Sequence, residues 1–248
     1  MGPRALGAAK QRARRDTTTW ATAVAQQLLT RHGIVTREAL NSESLAGGFG
    51  AVYAVLKAME ESGRIRRGYF VAGLGATQFA MPGALDLLRS LRDPSDEPVA
   101  VLMAATDPAN PYGAALRFPA APDQPALGLP QRSSASEAER RTGRGATRTV
   151  GASVILVDGA LAGYLARGDR QLLAWIPEAE PQRSHTARAV ARVLAERARS
   201  GGDTPRGMLI EELNGVPASL HPLAPFFIEQ GFTAGAMGLA GAKKLVNG

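Results

Sequence analysis

The chain has 248 residues, 45% of them hydrophobic, no cysteine and a formal net charge of +7. That length and apolar content can fill one large core or two modest ones, and two domains are expected. The missing thiols exclude a disulfide framework, a thiolate zinc site and an iron–sulfur cluster, in keeping with a reducing cytosol.

The positive charge is concentrated. Residues 1–15 hold Arg4, Lys10, Arg12, Arg14 and Arg15 with no acid, and residues 120–148 hold five arginines against Asp123, Glu137 and Glu139. These two segments account for the whole excess, so any nucleic-acid surface on the folded remainder must come from local clustering. His32, His185 and His221 are too far apart in sequence to form a ligand pair on one helix or hairpin, and no Gly-rich phosphate loop of the NTPase type is present. No metal and no cofactor are expected. No stretch approaches the roughly 18 apolar residues of a membrane span, so a soluble cytoplasmic protein without a membrane partner is the expectation.

Residues 1–16 read as a basic disordered arm, and residues 17–119 as a winged-helix domain with a C-terminal extension. A first helix covers 17–32, with Val24, Leu28 and Leu29 on one side and Gly33 as its stop. Thr36 starts a short second helix running to Leu45. In the third helix Val52, Val55, Leu56 and Met59 recur at helical spacing, and Gly63 closes it. Two strands, "RIRRGYFV" and "ATQFAM", then flank Gly73 and Gly75. With the apolar stripe inward, the third helix turns Gly50, Tyr53, Lys57, Glu60 and Arg64 outward, a face poor in the Arg, Lys, Asn and Gln that read base edges. The wing offers Arg64, Arg66 and Arg67 beside Tyr69 and Phe70, a mixture suited to phosphates and stacked bases. The competing explanations are a positively charged strand edge kept soluble and, for Tyr53, a packing residue.

In "ATDPANPYG", the Asp107-Pro108 and Asn110-Pro111 pairs enforce turns. A structural turn pair is the simpler explanation. The chemical alternative has Asp107, Asn110 and Tyr112 lining a pocket, with Asp107 as the carboxylate that hydrolytic base removal requires. Residues 120–148 show no apolar period and read as a flexible linker, leaving 149–248 as a β-rich module. There "VGASVILV", "ALAGYLA" and "QLLAWI" form a meander whose Asp158-Gly159 step is a hairpin turn, and Asn214-Gly215 marks another. A helix over about 183–200 aligns Arg188, Arg192 and Arg199 on its outer face, either a solvated face or a phosphate track. Glu211 and Glu212 are weaker carboxylate candidates, because strand alternation points one of them outward. The fold class is α+β: a winged helix followed by a small antiparallel sheet or barrel carrying two helices.

Several segments carry a resemblance. "LLTRHGIVTREAL", "GGFGAVYAVLKAMEESGRIRRGYFVAGLGATQFAMPG", "AATDPANPYGAALRFP", "ILVDGALAGYLARGDRQLLAW" and "EELNGVPASLHPLAPFFIEQGF" resemble the C-terminal region of the large helicase-related (Lhr) family of bacterial DNA repair helicases. The resemblance covers most of residues 20–235 and leaves the family's motor and accessory domains without a counterpart here, whether the chain is a fragment or a free-standing relative. It implies nucleic-acid handling in DNA repair, helicase core domains as partners, and a likeness to winged-helix DNA glycosylases. The residues expected to contact DNA, single-stranded above all, are Tyr53, Lys57, Arg64, Arg66, Arg67, Tyr69, Tyr112, Arg188, Arg192 and Arg199. Three alternatives stand beside this reading: base excision by Asp107 in a pocket between the modules, a ligand-sensing regulator, and a homo-oligomer joined through Phe226, Phe227 and Met237.

Overall fold

The computed structural model describes residues 3–41, 43–92, 97–123, 145–200 and 207–241, with the backbone alone over 3–15. The chain parts into two compact units, residues 1–93 with 114–116, and 94–113 with 117–248. Among the described residues no helix is long and apolar enough to cross a membrane.

The first unit is built from α1 (Pro3–His32), β1 (Ile34–Val35), α2 (Arg37–Asn41), α3 (Gly48–Glu61), β2 (Arg66–Gly68), β3 (Gln78–Ala80) and α4 (Pro82–Ser90). The strands pair antiparallel in the order β1-β3-β2, with Val35 and Arg67 both opposite Phe79. Thr36 caps α2, its Oγ1 accepting the Ala39 N–H at 3.1 Å. The α3 stripe is as expected at Val52, Leu56 and Met59, which join Leu28, Leu29, Leu40 and Phe79 in one core. Val55 is only partly buried. At the end of α3, Gly63 adopts φ 74° and its N–H bonds Glu60 O, while the Arg64 N–H reaches Met59 O. That left-handed cap is why a glycine stands there.

The second unit centres on a six-stranded sheet, β10-β9-β7-β6-β5-β4, formed by β4 (Ala100–Ala104), β5 (Ser153–Val157), β6 (Ala160–Leu165), β7 (Gln171–Ala174), β9 (Glu212–Leu213) and β10 (Val216–Pro217). Strand alternation gives it two apolar faces. Ile155, Val157, Leu172 and Ala174 face a core shared with α5 (Gln182–Arg199), whose Ala187, Val190, Ala191 and Leu194 are buried. Val154, Leu161 and Tyr164 face a second core, against which Tyr112, Phe118, Ala146 and Trp175 pack. A separate three-stranded sheet, β11 (Phe232–Gly235), β12 (Gly238–Gly241) and β8 (Met208–Ile210), closes the first core with α6 (Ala224–Glu229). The hairpin turns fall where expected, with Asp158 at φ 49° and Asn214 at φ 51°.

The structure departs from the sequence expectation at four places. Helix α1 begins at Pro3, so the backbone is helical where a disordered arm was expected over 1–16. Ala5, Ala8, Ala9, Lys10 and Gln11 are good helix formers, and charge alone does not break a helix. The units part at residue 93 rather than within 120–148, because β4 pairs with β5 across five residue pairs from Ala100–Val157 to Ala104–Ser153. Within the expected linker, residues 124–144 lie outside the described residues, but Ala146 and Arg148 are integrated into the second unit. Finally, of the expected sheet or barrel the described residues form open sheets, and the departure is that β7 pairs with β9 in parallel rather than antiparallel. The connection between them is long enough to include α5, as a parallel pairing requires.

Candidate nucleic-acid interface and the Asp107 loop

The wing is the loop between β2 and β3, and its organiser is Gln78. This fully buried side chain accepts the N–H groups of Phe70 and Val71 at Oε1 (2.9 and 2.8 Å) and donates from Nε2 to the carbonyls of Val71 and Gly75 (2.9 and 3.0 Å). All four of its hydrogen-bonding positions are filled, which folds residues 70–75 around one amide. Glu38 adds a tie from α2, its Oε1 accepting the Gly75 N–H at 3.2 Å. Tyr69 is 62% exposed, and its hydroxyl accepts the Gly73 N–H at 3.1 Å, which orients the ring on the wing surface.

Arg64, Arg66 and Arg67 are exposed and make no ion pair or hydrogen bond through their side chains with the described residues. Arg66 and Arg67, adjacent on β2, project from opposite faces of the ribbon. Helix α3 offers fewer unpaired basic groups than the wing. Lys57 is paired with Glu61 at 3.6 Å, and Tyr53 is half-buried, its ring 5.8 Å from Phe49 and 6.1 Å from Phe79. The packing explanation for Tyr53 therefore matches its surroundings. Another face of α3 lines, with α1, an apolar groove of about 650 Å³ that includes Ala21, Thr22, Ala51, Val55, Ala58 and Arg64. Neither face offers the amide and guanidinium array of a base-reading helix.

On α5 the three arginines of the expected track are tied to protein atoms, whereas Arg183 at the start of the helix has no side-chain hydrogen bond or ion pair with the described residues. Arg188 Nε donates to Glu229 (3.0 Å) and its guanidinium lies over the Phe226 ring, Arg192 donates to Pro98 O (3.0 Å), and Arg199 donates to Ala195 O (3.0 Å). Glu211 pairs with Arg170, and Glu212 accepts from Gln171 at 3.2 Å. Phe227 is buried against Phe232, whereas Met237 is 68% exposed, so the three residues named for an oligomer interface do not share one surface role.

The Asp107 loop runs from the end of β4. Asp107 Oδ1 accepts the Ala109 N–H at 2.8 Å, and Oδ2 has no partner among the described residues. Asn110 is buried, and three of its four hydrogen-bonding positions are filled, with Nδ2 donating to the carbonyls of Ala105 and Tyr112 and Oδ1 accepting the Tyr112 N–H. With both amide donors spent on the loop's own carbonyls and the side chain buried, its bonds are those of a turn residue. Tyr112 stacks on Phe118 at 6.0 Å, and its hydroxyl accepts the Leu161 N–H at 3.3 Å. The turn explanation thus accounts for Asn110 and for half of the Asp107 carboxylate. Gln78 and Arg148 were not singled out from the sequence. The Asp-Pro and Asn-Pro turns could have pointed to Arg148, since such a loop leaves carbonyls that strand pairing cannot satisfy.

Helices α1 to α3 followed by the β2–β3 wing define a winged helix, a class of DNA-associated domain. Residues 14–100 match the family model described as the winged-helix domain of large helicase-related protein. Over 84% of its length the chain is 42% identical to a "Lhr helicase/ probable uracil glycosylase" of Mycolicibacterium smegmatis, and over 88% it is 32% identical to a "Lhr helicase/uracil glycosylase" of Escherichia coli. These matches cover 12% and 13% of the two relatives, so the chain spans about an eighth of their length. The chain resembles the C-terminal region of the Lhr helicases, and its first unit is a winged helix of the kind that family's model describes.

Proposed function

We propose that this chain is a nucleic-acid-binding module of an Lhr-like DNA repair helicase, holding single-stranded DNA with little sequence preference. The observation that carries this is the contrast between arginines. Arg64, Arg66 and Arg67 of the wing are exposed and without a side-chain partner among the described residues, beside a fixed and exposed Tyr69, while Arg188, Arg192 and Arg199 of α5 are tied to protein atoms. An unpaired guanidinium can take a phosphate without first breaking an internal contact, and an aromatic face stacks on any base. The partners in this reading are DNA and the family's helicase core domains, in the cytoplasm.

The test is equilibrium binding to a single-stranded oligonucleotide over a salt series. Each phosphate contact on a single strand contributes about 0.7 to the log–log slope, so R64A/R66A/R67A is expected to flatten it by about 2. An unchanged slope rules out the wing as the binding surface.

A second reading is base excision, favoured by the glycosylase named in both relatives and by Asp107 Oδ2, which has no partner among the described residues. Hydrolysis of an N-glycosidic bond adds water oxygen to the sugar C1′ and passes a proton to the departing base. A carboxylate beside the sugar positions that water or stabilises the developing cation. Incubating the chain with a strand holding one uracil, followed by alkali, tests it: a strand that remains intact counts against this substrate.

A further inference from the structure

Arg148 stands at the end of a segment whose composition reads as linker, yet its guanidinium makes four hydrogen bonds to backbone carbonyls. Its Nη1 donates to the carbonyls of Asn110 (2.8 Å) and Tyr112 (3.3 Å), and its Nη2 to those of Asp107 (3.0 Å) and Thr106 (3.3 Å). One planar cation thereby collects the carbonyls of the Asp107 loop. Its approach is built into the chain. Gly113 has φ +75°, and a Cβ there would lie 2.7 Å from the Phe118 ring and 3.0 Å from Arg148 Cβ. The guanidinium takes the Asp107 carbonyl but makes no ion pair with its carboxylate, whose Oδ2 has no partner among the described residues.

We propose that Arg148 is a positioning residue for Asp107: it holds the loop backbone so that the Asp107 Oδ2 faces its substrate unencumbered while Tyr112 stays stacked on Phe118. The inference rests on the base-excision reading. It goes beyond that reading by assigning the loop's geometry to a residue from a distant part of the sequence. Because the side-chain hydrogen bonds of Arg148 all go to the Asp107 loop, its loss should slow the chemical step and leave strand affinity alone. Lysine supplies a point charge without the planar fork, so it should recover part of the rate.

The experiment uses the full chain and a single-stranded oligonucleotide with one uracil. It measures the single-turnover excision rate at saturating protein, the affinity for the same strand, and thermal unfolding. D107N should lose about a hundredfold or more in rate, as expected for loss of an acid–base or charge-stabilising group. R148A should lose about tenfold or more, because small misplacements of a reacting group are costly. R148K should fall between R148A and wild type, and all three should bind within about twofold of wild type, the signature of a rate effect separate from binding. Wild-type rates in both Arg148 variants, with D107N inactive, overturn the positioning role and leave the base-excision reading standing. A rate loss in R148K no larger than its unfolded fraction overturns it as well, and R148K decides the matter if R148A fails to fold. No excision by the wild type, or full activity in D107N, removes the base-excision reading and this inference with it.

Discussion

Two buried polar side chains show how single residues constrain this protein. Gln78 satisfies four backbone groups of the wing from a position with no solvent access. Q78M keeps the volume and leaves those groups unpaired, which should cost about 2–4 kcal/mol in denaturant unfolding of the first unit and loosen the wing. His221 is buried in the second unit, where its Nδ1 accepts the Leu223 N–H at 3.1 Å. Burial, helped by the charge of Arg183, lowers its pKa to about 4 from the ordinary 6.5. The unfolded chain therefore takes up a proton between those values while the folded chain does not. Stability is retained above pH 6.5 and falls by a few kcal/mol as the pH drops toward 4. Urea midpoints measured across that range should show the decline, and H221N should show a shallower one. None of this was visible in the sequence, where Gln78 was one letter in a strand and His221 one of three scattered histidines.

At the scale of elements, local signals were the readable ones. The α3 stripe at Val52, Leu56 and Met59, its glycine stop and the Asp-Gly and Asn-Gly hairpins formed where the sequence placed them, because each is decided within a few neighbouring residues. The Gly63 cap gives a direct check. A Cβ there meets no other atom, so G63A isolates the cost of the left-handed backbone, about 1 kcal/mol of unfolding free energy. The arginines aligned on α5 were equally readable as a row, but their commitments were not. Arg192 is spent on Pro98 and Arg188 on Glu229, both remote in sequence. R188A/R192A should accordingly change DNA affinity less than R64A/R66A/R67A in the same titration, and the reverse order would move the binding surface to α5.

For the whole molecule, the charge and the partition of the chain carry the argument. Removing residues 1–15 deletes five of the chain's basic residues and no acid. If the wing binds phosphates by itself, the shortened chain should keep a log–log salt slope of about −2 on single-stranded DNA, three contacts at about 0.7 each. A slope near zero would assign binding to the deleted residues. The sequence by itself determined the α+β class, the winged-helix order, the turns and the Lhr resemblance, since these rest on periodicity, on glycine and proline positions, and on contiguous matching segments. Only the tertiary structure decided that β4 belongs with β5, that β7 pairs with β9 in parallel, and that Arg148 closes on the Asp107 loop. The physical reason is that those features are contacts between residues tens of positions apart. A hydrogen-bond donor leaves no trace in composition of which distant carbonyl it will meet.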